Sequence, residues 1–563
     1  MVQVRGTRRG GRLAGAARPT SVLGPLATLV VLASAACSLH QAGVTPPDDR
    51  IFFPSGGIVD PDGAWLFVAN SNSDLRYNAG TIVTVDLAAV GAAREDALTR
   101  GAETCPADPR YVPAVSKTPY CCWDFLDPTV LNCDDQSLVV PEWSVRVGSF
   151  AGTPVIQRFL VPNPDFDPDH RDAAVPELME PPGSDRRLFV PVRGDTSITM
   201  MNLARGPKPE QPLPAGKPKL YCTGDRRDPN ALDGAGPLPQ QPRFQTCEGQ
   251  WRITRRDDPL ETPAYKDIPD SDVMHLPDEP YALAVDEAAR LLYVGHLRGE
   301  VSLIDLGLPT VTSVMGPSVG TPSVPNLLDH SHNVLPGDVN GSVGVTSLTL
   351  RDATSTSCHK EIFASSRYRP VASSFVIYGL NGARCDDSAT RGESDEGLVI
   401  IPTGTTYSTG LSGSDTRGIQ FVDPDRIFLL QRNPPALVGI DADSQAPLST
   451  MEVCQGPANL AQPFKSDGKT PLFGQPLLFI TCFDSGEVYV VDPAVPQIRS
   501  VIQVGRQPIA TVFDSTDPTR AYVIGFGANN VSVVDLNPTQ PTYNRVIQRI
   551  GFPSATPRDV GPQ

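Results

Sequence analysis

Five arginines occupy similar places in a repeated pattern of this 563-residue chain. Each follows a short apolar segment by a few residues; they are Arg76, Arg193, Arg298, Arg367 and Arg432. If the apolar segments are equivalent strands, we expect the arginines to lie on one face of the protein. Grouped guanidinium groups bind carboxylates or phosphates through bidentate, charge-assisted hydrogen bonds. The alternative is that each arginine pairs with a neighbouring aspartate or is solvated.

Histidines and carboxylates at alternating positions suggest weaker candidates for metal binding. His330 and His332 would share an ion with Asp329 if they lay on one strand face, and a solvated loop is the alternative. Carboxylates also alternate within residues 165–169, but the central glycine and the distal glutamate of an EF-hand are missing. We therefore predict no metal and no cofactor.

No complete catalytic motif accompanies these residues. Residues 410–414 read Gly-Leu-Ser-Gly-Ser and miss the last glycine of a G-x-S-x-G nucleophile elbow. Neither a phosphate-binding loop nor a dinucleotide-binding fingerprint occurs in the sequence. The sequence therefore favours a binding protein over an enzyme.

The elements that would position the arginines repeat along the chain. The first copy, residues 53–87, reads as a strand, an Asp-Pro-Asp-Gly turn, a second strand, a polar loop and a third strand. Six more copies have their strand segments within residues 187–203, 280–306, 345–378, 417–441, 477–492 and 508–536. The third strands of the last two copies end at Asp492 and Asp535, about 43 residues apart, which suits one four-stranded propeller blade.

The seven copies predict an all-β fold, a seven-bladed β-propeller over residues 51–563 with disulfide-stapled loop insertions. The 58 prolines and 48 glycines agree with many short strands and turns. We expect the aspartate that ends each third strand to accept backbone N–H groups in the following turn. Residues 50–55 and 549–554 resemble each other, as expected for a closed ring of repeats that leaves no sheet edge open.

The N-terminus has the layout of a secretory signal. Five arginines precede an apolar run at residues 23–36, and Cys37 follows directly. Residues 34–37, Ser-Ala-Ala-Cys, resemble a bacterial lipobox, although that motif usually has leucine at the place of Ser34. We predict a signal peptide at 1–36, lipidation of Cys37 and a polar tether at 37–50; ordinary cleavage after Ala36 is the alternative.

The net charge of the chain limits the classes of molecule that it can bind. The formal net charge is −16, and removal of residues 1–36 would take away five arginines and no acid. Such an acidic chain repels phosphate backbones, so we expect no nucleic acid as a partner. The membrane would be reached through the lipid anchor only.

Ten cysteines besides Cys37 fit an exported, disulfide-bonded protein. Their positions suggest the pairs Cys222–Cys247, Cys358–Cys385 and Cys454–Cys482, and they leave the connectivity open among Cys105, Cys121, Cys122 and Cys133. No Cys-x-x-Cys motif supports metal binding instead. Insertions at about 101–136 and 206–270 would carry the cysteine cluster and the first pair.

Two pairs of strand segments resemble the YVTN-type propeller repeat. They are Leu-Phe-Val-Ala-Asn at 66–70 with Val-Thr-Val-Asp at 83–86, and Leu-Tyr-Val at 292–294 with Ser-Leu-Ile-Asp at 302–305. This repeat occurs in exported bacterial proteins, surface-layer proteins and lactonase-like propellers. The resemblance implies the propeller fold over most of 51–563 and leaves the function open, because the motif residues mostly build blades.

We therefore expect an exported, lipid-anchored propeller that serves as a binding scaffold at the bacterial cell envelope. Its partner would be an envelope protein or a small anionic ligand. The alternative is an enzyme of the lactonase or quinoprotein type, with its active site at the mouth of the central channel. A purely structural envelope protein is a third hypothesis.

Overall fold

Short antiparallel strands make up nearly all the regular structure of the chain. The computed structural model describes residues 44–106, 120–166, 177–181, 184–204, 219–222, 245–247, 251–255, 274–306, 325–331, 344–352, 359–379 and 398–552. Cys37, Cys358, Cys385, His332 and the predicted signal peptide lie outside these ranges. Within them, no helix is both long enough and apolar enough to cross a membrane.

The first sheet is interrupted by an insertion between its third and fourth strands. In chain order the elements are β1 (Pro54–Val59), β2 (Trp65–Asn70), β3 (Gly80–Asp86), helix α1 (Leu87–Arg100), β4 (Cys121–Trp123), β5 (Leu131–Cys133), the 3-10 helices Asp135–Ser137 and Pro141–Trp143, and β6 (Val145–Val147). Strands β1, β2, β3 and β6 form the sheet, in that order. Strands β4 and β5 belong to a different sheet, the last one of the chain.

The second sheet is also extended by insertions. Its region contains β7 (Val155–Gln157), β8 (Val161–Pro162), β9 (Leu178–Met179), β10 (Arg186–Val192), β11 (Ser197–Ala204), β12 (Lys219–Tyr221), β13 (Gln245–Thr246) and β14 (Arg252–Ile253). The sheet order is β7, β10, β11, β12, and β14 also pairs with β11. Strand β13 joins the first sheet beside β6, and β8 pairs with β9.

The five remaining sheets follow the repeat closely. The third has β15 (Pro280–Asp286), β16 (Leu291–His296), β17 (Val301–Asp305) and β18 (Asn326–Ser331); the fourth has β19 (Val345–Arg351), β20 (Glu361–Ser366), β21 (Val371–Gly379) and β22 (Leu398–Ser408). The fifth has β23 (Ser414–Asp423), β24 (Arg426–Asn433), β25 (Ala436–Asp441) and β26 (Pro447–Glu452). The sixth has β27 (Pro457–Ala461), β28 (Leu478–Cys482), β29 (Glu487–Asp492) and β30 (Gln497–Gln503); the seventh has β31 (Pro508–Phe513), β32 (Arg520–Gly525), β33 (Asn530–Asp535) and β34 (Arg545–Ile550).

The seven sheets form a closed ring with their first strands innermost. The first strands contact one another in succession from β7 through β15, β19, β23 and β27 to β31, and β1 packs against β31. The first and second sheets share a hydrophobic cluster, which closes the ring. Between each two neighbouring sheets lies a separate hydrophobic cluster, so the central strands are buried on both faces. Every residue of β2 and of β16 is buried, for example. The predicted seven-bladed β-propeller is confirmed.

In each blade, a residue with positive φ directly precedes the first strand segment. These residues are Phe53 (43°), Phe150 (59°), Glu279 (55°), Gly344 (55°), Gly413 (118°), Gly456 (64°) and Gln507 (47°). Glycine adopts this conformation without strain, whereas a bulky side chain there is uncommon. The four positions that keep a side chain do so at a cost in backbone energy.

The aspartates that end the third strands are structural, as predicted. The Oδ1 atoms of Asp86, Asp441, Asp492 and Asp535 accept the backbone N–H of Ala89 (3.0 Å), Ser444 (2.7 Å), Ala494 (2.9 Å) and Asn537 (2.9 Å). In the first blade the same contact caps the N-terminus of α1. These four aspartates thus organise the turns that follow the third strands of their blades.

We call α1, β4, β5 and the turn that follows as far as Ser137 the clasp, because this insertion of the first blade binds the last blade. Strand β5 pairs in parallel with β34, and Val90 of α1 accepts a hydrogen bond from Gln548 (3.1 Å). The clasp contains two disulfides, Cys105–Cys122 and Cys121–Cys133, which settle the open connectivity. The predicted pairs Cys222–Cys247 and Cys454–Cys482 are also confirmed.

The two ends of the array, which resemble each other in sequence, both bind the clasp. The Arg50 guanidinium contacts the carboxylates of Asp134 (3.3 Å) and Asp135 (3.2 Å). The Arg549 guanidinium contacts the carboxylate of Asp124 at 2.9 Å. The similarity of the two ends therefore reflects two arginines that meet one insertion.

Candidate functional site

In each blade a loop joins the second strand to the third. These loops lie on the same side of the ring as the segments that precede the first strands, and we call this side the arginine face. Asn72 donates to Ser149 Oγ (3.1 Å), and the backbone N–H of Asp415 donates to the carbonyl of Arg367 (2.7 Å). The N–H of Phe483 likewise donates to the carbonyl of Gly456 (2.9 Å). The first two contacts join successive blades and the third lies within the sixth blade; together they place the loops that contain the five predicted arginines on this side.

Arg193 is held by aromatic rings. Its guanidinium carbon lies 5.7 Å from the ring centre of Phe150 and 5.6 Å from that of Tyr281, and the side chain is half-buried. Within the described part of the chain it forms no ion pair. Cation–π contacts fix a guanidinium in place and leave its N–H groups able to donate to an anion. Arg193 therefore has the properties expected of an anion-binding group.

Arg367 resembles Arg193 in this respect. Its guanidinium carbon lies 5.6 Å from the ring centre of Tyr368, which is 52% exposed. In the described ranges Arg367 likewise has no carboxylate partner. Its backbone is fixed between blades, because its N–H donates to Gly344 and its carbonyl accepts from Asp415, both at 2.7 Å.

The other three arginines each pair with an aspartate. Arg76 contacts Asp74 at 3.4 Å, Arg298 contacts Asp278 at 3.0 Å, and Arg432 contacts Asp484 at 3.2 Å. This is the alternative that the sequence left open for every one of them. An exposed pair contributes little to stability, and its arginine remains able to exchange partners.

Three phenylalanines lie on the arginine face next to Arg432. The sequence patterns did not indicate them as site residues. Phe483 lies in the loop after β28 and Phe526 in the loop after β32, while Phe53 directly precedes β1. Their ring centres are separated by 6.1 Å (Phe483–Phe526) and 5.7 Å (Phe526–Phe53), and the Arg432 guanidinium carbon lies 5.7 Å from the Phe483 ring centre. We call these four side chains the Arg–Phe row.

The histidines have structural surroundings. His330 lies opposite Ser302 in the third sheet, and the neighbouring Asp329 accepts the N–H of Ile400 at 2.9 Å. His296 is fully buried, and burial lowers its pKa to about 3, so it stays neutral while its Nε2 contacts Ser302 Oγ at 2.9 Å. Across the described ranges, no three His, Cys, Asp or Glu side chains are grouped as ligands of one metal ion. His332 lies outside the described residues, so the weak candidate pair His330 and His332 is not tested.

A cleft of about 630 Å³ lies between α1 and the seventh sheet. Its lining includes Arg94 and Arg520, and it also includes Glu95 and Asp535. Burial lowers the pKa of Arg94, and the nearby Asp535 opposes this effect. Because the two cations are balanced by two carboxylates, the cleft lacks the net positive charge that would select an anion.

Comparison with known proteins does not assign the chain to a family. No protein-family model matches the chain, and no curated protein matches it. The resemblance to the YVTN-type repeat therefore depends on the strand motifs alone, while the propeller arrangement is shown by the structure.

The chemistry that this face supports is recognition of anions beside apolar groups. Its charged groups include the five guanidinium groups and the carboxylates that pair with three of them. A guanidinium does not lose its proton in the physiological range, so it serves as a fixed hydrogen-bond donor.

Proposed function

We propose that the protein is a binding scaffold whose arginine face recognises a carboxylate or phosphate group of a ligand or partner protein. The observation that carries this proposal is the position of Arg193. Its guanidinium is stacked against Phe150 and Tyr281, and no carboxylate of the described chain neutralises it. The propeller fold supports the proposal, because its rigid ring presents loops from all blades on one side.

Arg193 stands out more because the chain as a whole is acidic, with a formal net charge of −16. Although the chain contains 63 Asp and Glu residues, none of the described carboxylates pairs with Arg193, which supports a role for its guanidinium in binding an external anion. A hydrogen bond between charged partners contributes about 1.5–3 kcal/mol, which alone gives only weak binding. The natural ligand therefore needs further contacts on the same face.

Substitution of Arg193 tests the proposal. We expect inorganic phosphate or succinate to bind the wild-type protein in isothermal titration calorimetry, and Arg193→Ala to weaken this binding at least tenfold. The matched control is Arg298→Ala, because Arg298 lies on the same face but is 64% exposed and paired with Asp278. The control should bind like the wild type. Equal binding by Arg193→Ala, or no binding of either anion by the wild type, would contradict the proposal.

We also propose that the chain is exported and anchored by a lipid on Cys37, as a YVTN-type propeller of the bacterial envelope. The support is the N-terminal sequence, together with four cysteine pairs at disulfide distance, which agree with an oxidising compartment. Cys37→Ser should move the protein from the membrane fraction to the soluble fraction and abolish its labelling by palmitate. An unchanged distribution would contradict anchoring at this residue.

A further inference from the structure

The spacing of the groups in the Arg–Phe row is close to that of alternate side chains in an extended peptide. The three successive separations are 5.7, 6.1 and 5.7 Å, from Arg432 through Phe483 and Phe526 to Phe53. Side chains on one face of an extended strand recur every second residue, about 6.6–6.8 Å apart. Each separation in the row is about 0.5–1.1 Å shorter than this repeat, which is close enough for alternate side chains of an extended segment to reach successive groups of the row.

The row is also held in a fixed shape. Phe53 has a φ of 43° at a position where three other blades use glycine, so its ring is kept there at a cost in backbone energy. Its N–H donates to Asn529 Oδ1 at 2.7 Å, and the N–H of Phe483 donates to the carbonyl of Gly456 at 2.9 Å. Rigid aromatic side chains lose little entropy on binding, and such residues commonly dominate binding energy.

The charge at one end of the row defines the direction of recognition. The side chain of Arg432 is 23% exposed and contacts Asp484, whose side chain is 54% exposed. An exposed ion pair is weak, so an incoming carboxylate can replace Asp484 with little loss. The three phenylalanines, each half-buried, offer only apolar surface beside this cation.

We propose that the Arg–Phe row binds an extended segment of a partner protein, with an acidic side chain at Arg432 and apolar or aromatic side chains at the following alternate positions. This inference rests on the proposed function, since it assigns the anionic group to the same face. It adds the class of partner and the spacing of the residues that are recognised.

A designed peptide tests the spacing. The probe has seven residues, with aspartate first, phenylalanine at the third, fifth and seventh positions and serine between them, and it is used in both sequence directions with a fluorescent label. The control peptide has the same composition with the three phenylalanines adjacent. We expect fluorescence anisotropy to show that the alternating peptide binds in one direction and that the control binds at least tenfold more weakly.

Two substitutions connect this binding to the row. Phe526→Ser should weaken it tenfold or more, whereas Phe125→Ser, on an exposed loop of the clasp, should leave it unchanged. Asp484→Asn should strengthen it, because the variant removes the carboxylate that competes for Arg432. Asp484 is exposed, so this variant remains decisive even if Phe526→Ser fails to fold.

The outcomes separate this inference from the proposed function. Absence of peptide binding up to millimolar concentration, equal binding of the control peptide, or no effect of Asp484→Asn would overturn the inference. Phosphate binding that depends on Arg193 would then still support the proposed function. Conversely, peptide binding that depends on Phe526 while Arg193→Ala leaves phosphate binding unchanged would support the row and contradict the role of Arg193.

Discussion

Arg186 is a charged side chain in the protein interior, where the loss of hydration makes a charge unfavourable. Only 2% of its side chain is exposed, and its guanidinium contacts Asp60 (2.6 Å), Glu180 (2.7 Å) and Asp62 (3.0 Å). The two aspartates follow β1, while Arg186 begins β10, so the cluster connects the first two blades. Burial of an ion costs several kcal/mol unless partners compensate it, as the carboxylates do here.

Removal of this guanidinium should therefore destabilise the propeller. We expect Arg186→Met to lower the free energy of unfolding by about 3–5 kcal/mol, because the Asp60 carboxylate would remain buried without the compensating positive charge of Arg186. Urea denaturation at neutral pH measures the change. Arg100→Met is the matched control, since Arg100 is 81% exposed beside Asp96 and its loss should cost less than about 1 kcal/mol. Equal effects of the two substitutions would contradict the role of Arg186.

Asp135 gives the clasp a pH dependence. Burial raises the pKa of its carboxyl group from 3.8 to about 7, against the attraction of Arg50. The folded state therefore favours the protonated group; this stabilisation is complete below pH 3.8 and is lost as the pH rises through about 7. We expect the melting temperature of the wild type to fall more between pH 5 and pH 8 than that of Asp135→Asn, which keeps a neutral side chain. Parallel pH profiles would show that Asp135 does not titrate in this range.

At the scale of residues, the sequence indicates which side chains reach the arginine face but not what they meet there. The pairing of Arg76 with Asp74 involves two positions of one loop, so sequence alone suggests it. Arg432 meets Asp484 of the next blade, and Phe53 meets Phe526 across the closure of the ring. These contacts depend on how blades are arranged in space, and no local pattern reveals them.

At the scale of elements, the helix α1 is the main feature that the sequence analysis missed. Its buried residues are Leu87, Val90, Ala93 and Ala97, so half of its inner face is alanine and the apolar periodicity is weak. The strands were predicted well because both of their faces are buried, which produces dense runs of valine, isoleucine and leucine. An alanine-rich segment after a capping aspartate was the available signal for the helix.

Asp86 should stabilise this helix as its N-cap. Its side chain accepts the N–H of Ala89 at 3.0 Å, and loss of an N-cap typically costs about 1 kcal/mol. We expect Asp86→Ala to lower the melting temperature, whereas Asp86→Asn, which can also cap, stays close to the wild type. Thermal unfolding followed by circular dichroism distinguishes the two variants, and identical shifts would show that the charge matters rather than the cap.

At the scale of the whole molecule, the clasp brings the two ends of the array together. The N–H of Ile51 donates to the Asp135 carboxylate (2.8 Å), and the N–H of Gly551 donates to the carbonyl of Cys133 (2.9 Å). The two ends therefore bind positions that are only two residues apart. This closure was expected from the sequence as a general need of propellers, but its means, an insertion of the first blade, was not.

A circularly permuted chain tests this arrangement. Phe552 would be joined to Arg50 by a short Gly-Ser linker, and new ends would be opened between Gly505 and Arg506, which are exposed between the sixth and seventh blades. We expect the permuted protein to melt cooperatively with the wild-type circular dichroism spectrum. A control opened between Ser532 and Val533, inside β33, should not fold. Failure of both chains would show that the ends cannot be joined.

The clasp also affects the order in which parts of the chain can fold during synthesis. Strand β5 needs β34, and Gln548 and Cys133, which are in contact, are 415 residues apart in the chain. A chain that emerges from its N-terminus exposes the edge of β5 until the last blade has been made, and such distant pairings form slowly. An unpaired edge strand invites association with other chains throughout that interval. The clasp is thus completed only when the last blade has been made, and the permuted chain, in which β34 precedes β5, would shorten this interval.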